Sequence, residues 1–226
     1  YTRDNRYGRY QSYGTVQIIA SGSPISAFDS GFTQEGWDWN RPPGATTIHL
    51  PYDLLESPLP GTLMERNPER FSGVSALEGK NGVLAFQFVE KDRKNFTPGA
   101  TAHKSVFCFE NRLVFLGSNI SNNNTQYPTE TTLYQLALTD PYEEVEFKDE
   151  RLTDFPLQRE LVGEQRVMLS DTKGNYYVVK GAERLVLEKQ DQESPDDKTR
   201  KMEAGKFATA YISHGYAPQE ASYEYA

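Results

Sequence analysis

Two-residue alternation of apolar side chains runs through this chain, and nowhere do apolar residues recur at helical spacing across three turns. Val83 to Val89 sets Leu84, Phe86 and Phe88 on one side and Gln87 on the other, the period of a half-buried strand. Lys104 to Phe109 and Arg112 to Leu116 are apolar runs split by Glu110-Asn111, which predicts a tight hairpin. Arg166 to Leu169 and Tyr176 to Val179 flank Asp171-Thr172-Lys173-Gly174-Asn175, a second hairpin with turn chemistry. Val16 to Ile19, Thr131 to Leu138, Arg184 to Glu188 and Lys206 to Ser213 add further strands. The spacing predicts an all-β fold, an antiparallel β-sandwich. The aromatic content of 12%, with 14 Tyr and 12 Phe, agrees with strands over helices.

Three stretches read as loops: Pro42 to Pro68, the Asn- and Ser-rich Ser118 to Pro128, and the charged Gln190 to Glu203, expected as a long solvated hairpin tip. Asn81-Gly82 is a tight-turn signal. Asn95-Phe96-Thr97, Asn119-Ile120-Ser121 and Asn123-Asn124-Thr125 match the glycosylation pattern, as chance matches in an Asn-rich chain would.

Composition narrows the function classes. A net charge of −8 argues against non-specific nucleic-acid binding. No apolar run approaches the ~20 residues of a spanning helix, so neither nucleic acid nor membrane is an expected partner. Cys108, the single cysteine, is expected as a small buried hydrophobe. His49, His103 and His214 lack metal-ligand spacing, and no phosphate loop or nucleophile elbow is present. The ends read as cuts through a longer polypeptide. Ala221 to Tyr225 alternates like a strand and then stops, while Tyr7, Tyr10 and Tyr13 suggest a basic-aromatic surface wanting a partner.

Two segments stand out. Trp37 and Trp39 share one side if Gly36 to Thr47 is extended; they either stack on sugar rings or fill a core. The other segment runs from Phe71 to Gly82, where Glu78 by local sequence is a solvated loop carboxylate.

Gly36 to Leu50 and Phe71 to Phe86 resemble the central β-domain of polysaccharide lyase family 8, and within it the chondroitin sulfate ABC lyases. Lys104-Ser105-Val106-Phe107, Leu116-Gly117-Ser118-Asn119-Ile120, Ile212-Ser213-His214-Gly215 and Ala221-Ser222-Tyr223-Glu224-Tyr225 agree in the same order. The resemblance implies a super-sandwich, galactose-mutarotase-like, over residues 1–226, with residues 1–14 the tail of a connection from a preceding helical domain. It implies β-elimination on chondroitin and dermatan sulfates, with hyaluronan left open, in a secreted or periplasmic bacterial enzyme. The family's His, Tyr and Arg lie in the helical toroid, which is the expected partner, so this segment is expected to be inactive alone. Glu78 matches the catalytic glutamate that the β-domain contributes, and Asn81 is a candidate substrate hydrogen-bonder. Arg6 and Arg9 either meet sulfates or anchor the domain interface. No cofactor is required by the resemblance, and a divalent cation (Ca or Mg) is left open. A non-catalytic carbohydrate-binding sandwich using Trp37 and Trp39 is the alternative.

Overall fold

The computed structural model describes residues 6–19, 27–56, 67–90, 96 and 98–226. Its strands are β1 Thr46–Ile48, β2 Ser72–Leu77, β3 Asn81–Val89, β4 Thr101–Phe109, β5 Arg112–Ser121, β6 Thr129–Ala137, β7 Val145–Phe147 and β8 Glu150–Leu152. They continue as β9 Leu157–Val162, β10 Arg166–Ser170, β11 Tyr176–Lys180, β12 Arg184–Pro195, β13 Met202–Ser213 and β14 Ala221–Tyr225. The one α-helix among the described residues, α1, is a single turn at Tyr52–Leu55. Two sheets result, a five-stranded one in the order β1-β6-β13-β12-β9 and a nine-stranded one in the order β2-β3-β4-β5-β14-β11-β10-β7-β8. Each strand pair is antiparallel.

Alternation decides which side chains fill the space between the sheets. Val106, Phe115, Tyr223 and Tyr225 of the large sheet meet Tyr134, Leu185, Leu187, Ala208, Ala210 and Ile212 of the small one, as two inner faces of a sandwich do. Phe115 and Tyr225 stack with ring centroids 4.4 Å apart. Gly117 leaves room for Tyr223, whose ring lies 2.0 Å from where a Cβ on that glycine would stand.

Residues Thr129 to Leu136 of β6 are buried on both sides, because the segment from Gly36 to Leu50 covers the far face of the small sheet. There Trp37, Trp39, Leu50 and Phe207 form a second apolar cluster with Tyr7 and Tyr10. The tyrosines expected on a surface are therefore interior: Tyr7 is 3% exposed and Tyr10 is fully buried. Tyr13 stacks on Phe88 at 4.6 Å. Burial is the stronger outcome for these rings, since each brings a large apolar area out of water.

The structure corrects several expectations. Val16 to Ile19 is irregular chain, tied by Val16 N–H to the Pro43 carbonyl at 2.8 Å, and it joins no strand ladder among the described residues. The turn expected at Asn81-Gly82 sits earlier, since both residues open β3. Pro42 to Pro68 contains β1 and α1, with residues 57–66 outside the described set. Ser118 to Ser121 belongs to β5. Gln190 to Glu203 is mostly ladder, with β12 running to Pro195 and β13 starting at Met202. Its charges follow the exposed edge of the alternation, as at Asp191 and Glu193, while Gln192 and Ser194 are buried. Asn95 and Thr97 of the first glycosylation match lie outside the described residues.

A backbone-on-backbone contact holds this ladder to the Trp segment. A Cβ on Gly205 would stand 2.3 Å from the Glu35 carbonyl oxygen, and one on Gly36 would stand 2.3 Å from Gly205 N. Gly205→Ala is therefore expected to destabilise the domain by about 1–3 kcal/mol, the range for forced overpacking. Urea denaturation checks it; an unchanged midpoint would show that the segment can lift away freely.

Candidate active-site hairpin and the buried charge cluster behind the Trp segment

The β2–β3 hairpin is an edge of the large sheet and carries Glu78 at its turn. Leu77 pairs with Asn81, and the Lys80 N–H donates to the Leu77 carbonyl at 3.1 Å. Glu78 and Gly79 both take left-handed backbone, with φ of 53° and 65°. Positive φ at both central positions is the type I′ pattern that matches strand twist. Glycine adopts it freely, but a glutamate there costs on the order of 1–2 kcal/mol. All six residues of β2 are exposed, as is Glu78. The hairpin thus carries a strained, solvated carboxylate out from the body of the sandwich.

Asn81 lies on the outer side of the sheet, in register with Leu77 and Phe109. Phe109 stacks on Phe107 with rings 6.3 Å apart and 5° from parallel. Leu77 and Phe109 are 63% and 47% exposed, so Asn81 sits among apolar neighbours open to solvent.

Other candidates are placed elsewhere. Arg9 is 4% exposed and bonds Glu90 at 2.8 Å, which removes it from any meeting with sulfate. Arg6 is half-buried, its backbone N–H on an Asp197 carboxylate oxygen at 2.6 Å. Trp37 and Trp39 are 4% and 5% exposed, and the Trp39 indole N–H donates to the Pro195 carbonyl at 3.1 Å. Neither indole presents a face to a sugar. Cys108 is partly buried against the main core.

Two polar features escaped the sequence reading. Lys104 is 3% exposed, its Nζ donating to the carbonyls of Gly44 at 2.5 Å and Tyr13 at 3.1 Å. Burial pushes its amine down to about 7. The second feature is a charge cluster between the Trp segment and the small sheet. Arg41 stacks on Tyr211 at 3.9 Å, donates to Glu130 from Nε at 2.9 Å and from the second guanidinium nitrogen at 3.3 Å, and reaches Glu188 at 3.4 Å. His49 bonds Glu130 at 3.0 Å and approaches Asp38 at 3.4 Å. Burial alone would raise Glu130, but Arg41 and His49 hold it down at about 2. For His49 burial works toward a lower value, and the Asp38 and Glu130 carboxylates outweigh it, raising the imidazole above its ordinary 6.5. No local motif announces this cluster, since its members come from the Trp segment, β6, β12 and β13.

The signs give a pH window. The Glu130 contribution is present above the unfolded value near 4.5 and is lost as pH falls toward 2. The His49 contribution is present below 6.5 and is lost as pH rises through its raised folded value. The cluster should hold the Trp segment best between about pH 4.5 and 6.5. Thermal melts of wild type and His49→Gln should differ most there and converge in alkali. A constant difference across pH would refute the assignment.

The sequence pattern of polysaccharide lyase family 8, super-sandwich domain, matches residues 1–226. The chain belongs to polysaccharide lyase family 8. Over its full length this lyase domain is 44% identical to a chondroitin sulfate ABC endolyase of Proteus vulgaris and 36% identical to a chondroitin sulfate ABC exolyase of Bacteroides thetaiotaomicron. It spans 22% of the length of each. Among solved structures, a chondroitinase AC lyase studied with oligosaccharides superposes with a TM-score of 0.74 at 25% identity, over 98% of this chain and 30% of that one. A chondroitin AC lyase of Streptomyces coelicolor, at 19% identity and a TM-score of 0.62 over 98% of this chain and 27% of that one, shares the fold. The two-sheet architecture of the lyase domain is thus the family's super-sandwich.

Proposed function

We propose that this domain is one wall of the active-site cleft of a glycosaminoglycan lyase acting on chondroitin and dermatan sulfates. The reaction is β-elimination. A base removes the C5 proton of the uronate, the C4–O bond breaks, and the departing oxygen takes up a proton. The product carries a C4=C5 double bond, and no water is consumed. The uronate carboxylate must be neutralised for that proton to leave, so cationic and proton-transferring groups have to meet over the sugar.

The observation that carries the reading is Glu78 in left-handed backbone at the tip of an exposed hairpin. Backbone strain clusters at functional sites. The same left-handed backbone at Glu110, in the β4–β5 turn, shows that turns use it too, so the exposed position and the match to the family glutamate complete the case for Glu78. Glu78 is assigned a positioning role: its carboxylate fixes an arginine fork and a tyrosine supplied by a helical domain of the same longer chain. Val74 is 81% exposed and Leu77 63% on this hairpin, apolar surface suited to that domain's approach. Asn81 is assigned a hydrogen bond to substrate. A leader and export to the periplasm or outside the cell fit a polymeric, extracellular substrate.

The test compares the longer protein with the 226-residue domain on chondroitin and dermatan sulfates, following ultraviolet absorbance of the unsaturated uronate. The longer protein should generate it and the isolated domain should not. Elimination by the domain alone would overturn this placement of the chemistry.

A further inference from the structure

The outer side of the large sheet is continuous from Asn81 into a groove at the far end of β3. Pairing registers set its rows: Asn81 beside Phe109, Val83 beside Phe107, Ala85 beside Ser105, and Gln87 beside His103. On β5, Ser118 continues the Gln87–His103 row and Leu116 the Ser105 row. The last two rows form a groove of about 810 Å³, closed along one edge by Phe71 and reaching Lys180 and Glu224 on the other.

The chemistry of this groove is selective. Phe71 is 59% exposed and offers a flat apolar ring, the usual partner of a pyranose face. Gln87, His103, Ser105 and Ser118 present amide, imidazole and hydroxyl groups in neighbouring positions. The cation at the edge, Lys180, already bonds Glu224 at 2.5 Å, so fixed positive charge is largely cancelled. Such a surface recognises hydroxyl and N-acetyl groups better than sulfates or carboxylates. Its size matches ordinary small-ligand sites, and its polar groups are interleaved with the apolar Phe71, Ala85 and Leu116.

Asn81 to Gln87 spans about 20 Å at the rise of a strand, several sugar units along. We infer that this groove is a distal subsite for the glycan chain, gripping uncharged sugar groups of a long substrate whose reacting bond lies near Glu78 and Asn81. The inference rests on the lyase reading above. It predicts a preference for polymer over short oligosaccharide, set by hydrogen bonding and stacking with little dependence on salt.

The experiment uses the full-length chain with two variants, Gln87→Ala/His103→Ala and the groove-filling Ser105→Trp. Each is assayed on polymeric chondroitin sulfate and on a chondroitin tetrasaccharide, at low and high salt. Losing two or three hydrogen bonds should raise KM for the polymer roughly tenfold. The tetrasaccharide should be turned over as by wild type, and the fold-change should hold across salt. Unchanged polymer kinetics in both variants would overturn the subsite. A parallel loss on both substrates, or a lowered melting temperature, would mark the groove as a packing surface and overturn it equally. If the wild-type chain makes no unsaturated product, the lyase reading fails by itself. Calorimetric titration of the polymer into wild type and Ser105→Trp then still decides whether the groove binds glycan.

Discussion

Glu78→Gln in the full-length lyase is expected to lower kcat by roughly 10²- to 10⁴-fold, the range for loss of a positioned group in proton transfer. KM should change little, because the carboxamide keeps the length and shape of the side chain. Folding should be untouched: Glu78 is exposed at a hairpin tip, so its replacement opens no cavity and breaks no core contact. The expected mechanism is loss of a charged acceptor, which leaves the arginine fork unfixed and its charge unbalanced. Near-normal turnover of Glu78→Gln would sink the assignment. Glu78→Gly sharpens the point through the backbone. With φ at 53°, glycine should relieve strain and stabilise the hairpin by on the order of 1 kcal/mol, while turnover falls as in Glu78→Gln. Stability and activity moving in opposite directions separate a functional glutamate from a merely structural one.

Arg41→Met is expected to destabilise the domain by about 3–5 kcal/mol, the usual cost of stripping one partner from a buried ion cluster. Arg41 is 7% exposed, and Asp38, Glu130 and Glu188 face it at 7%, 4% and 8%. Without the guanidinium Asp38 and Glu130 keep His49 as a cationic neighbour, whereas Glu188 keeps the neutral donors Tyr211 and Gln190. Against a typical total of 5–15 kcal/mol, such a loss brings the fold close to its limit. Arg41→Lys should rescue poorly, since one ammonium cannot span Glu130 and Glu188 while stacking on Tyr211. Adding Glu130→Gln to Arg41→Met should recover part of the loss by removing the charge left stranded. Urea denaturation of wild type, Arg41→Met, Glu130→Gln and the double variant gives the cycle. Additive effects of the two substitutions would mean that Arg41 and Glu130 do not act as a pair.

Most strands legible beforehand bury one side; β6, read at Thr131 to Leu138, is buried on both. β3, the β4–β5 hairpin, β10 with β11, and the starts of β12 and β13 alternate because one set of side chains faces the space between the sheets. β2 gave no such signal, since every residue from Ser72 to Leu77 faces water. Val16 to Ile19 has strand composition, yet Pro43 and Gly44 take up the nearby backbone positions and no ladder forms there. Glu78 was visible through resemblance, because a solvated carboxylate in a turn carries no periodicity. Its left-handed backbone was hidden behind the stronger Asn81-Gly82 turn signal.

What the order of residues determined by itself was the class of fold, the central strands and the family, for these follow from local alternation and from motifs kept in order. The fate of the aromatic and charged groups was decided in three dimensions. Tyr7, Tyr10, Trp37 and Trp39 became core, Arg9 became half of a buried pair, and Arg41 found Glu130 and Glu188 across 89 and 147 residues of chain. Such pairings depend on which segment covers the far side of the small sheet. That choice is made by whole-chain packing, where burying the indoles and matching the charges are settled together.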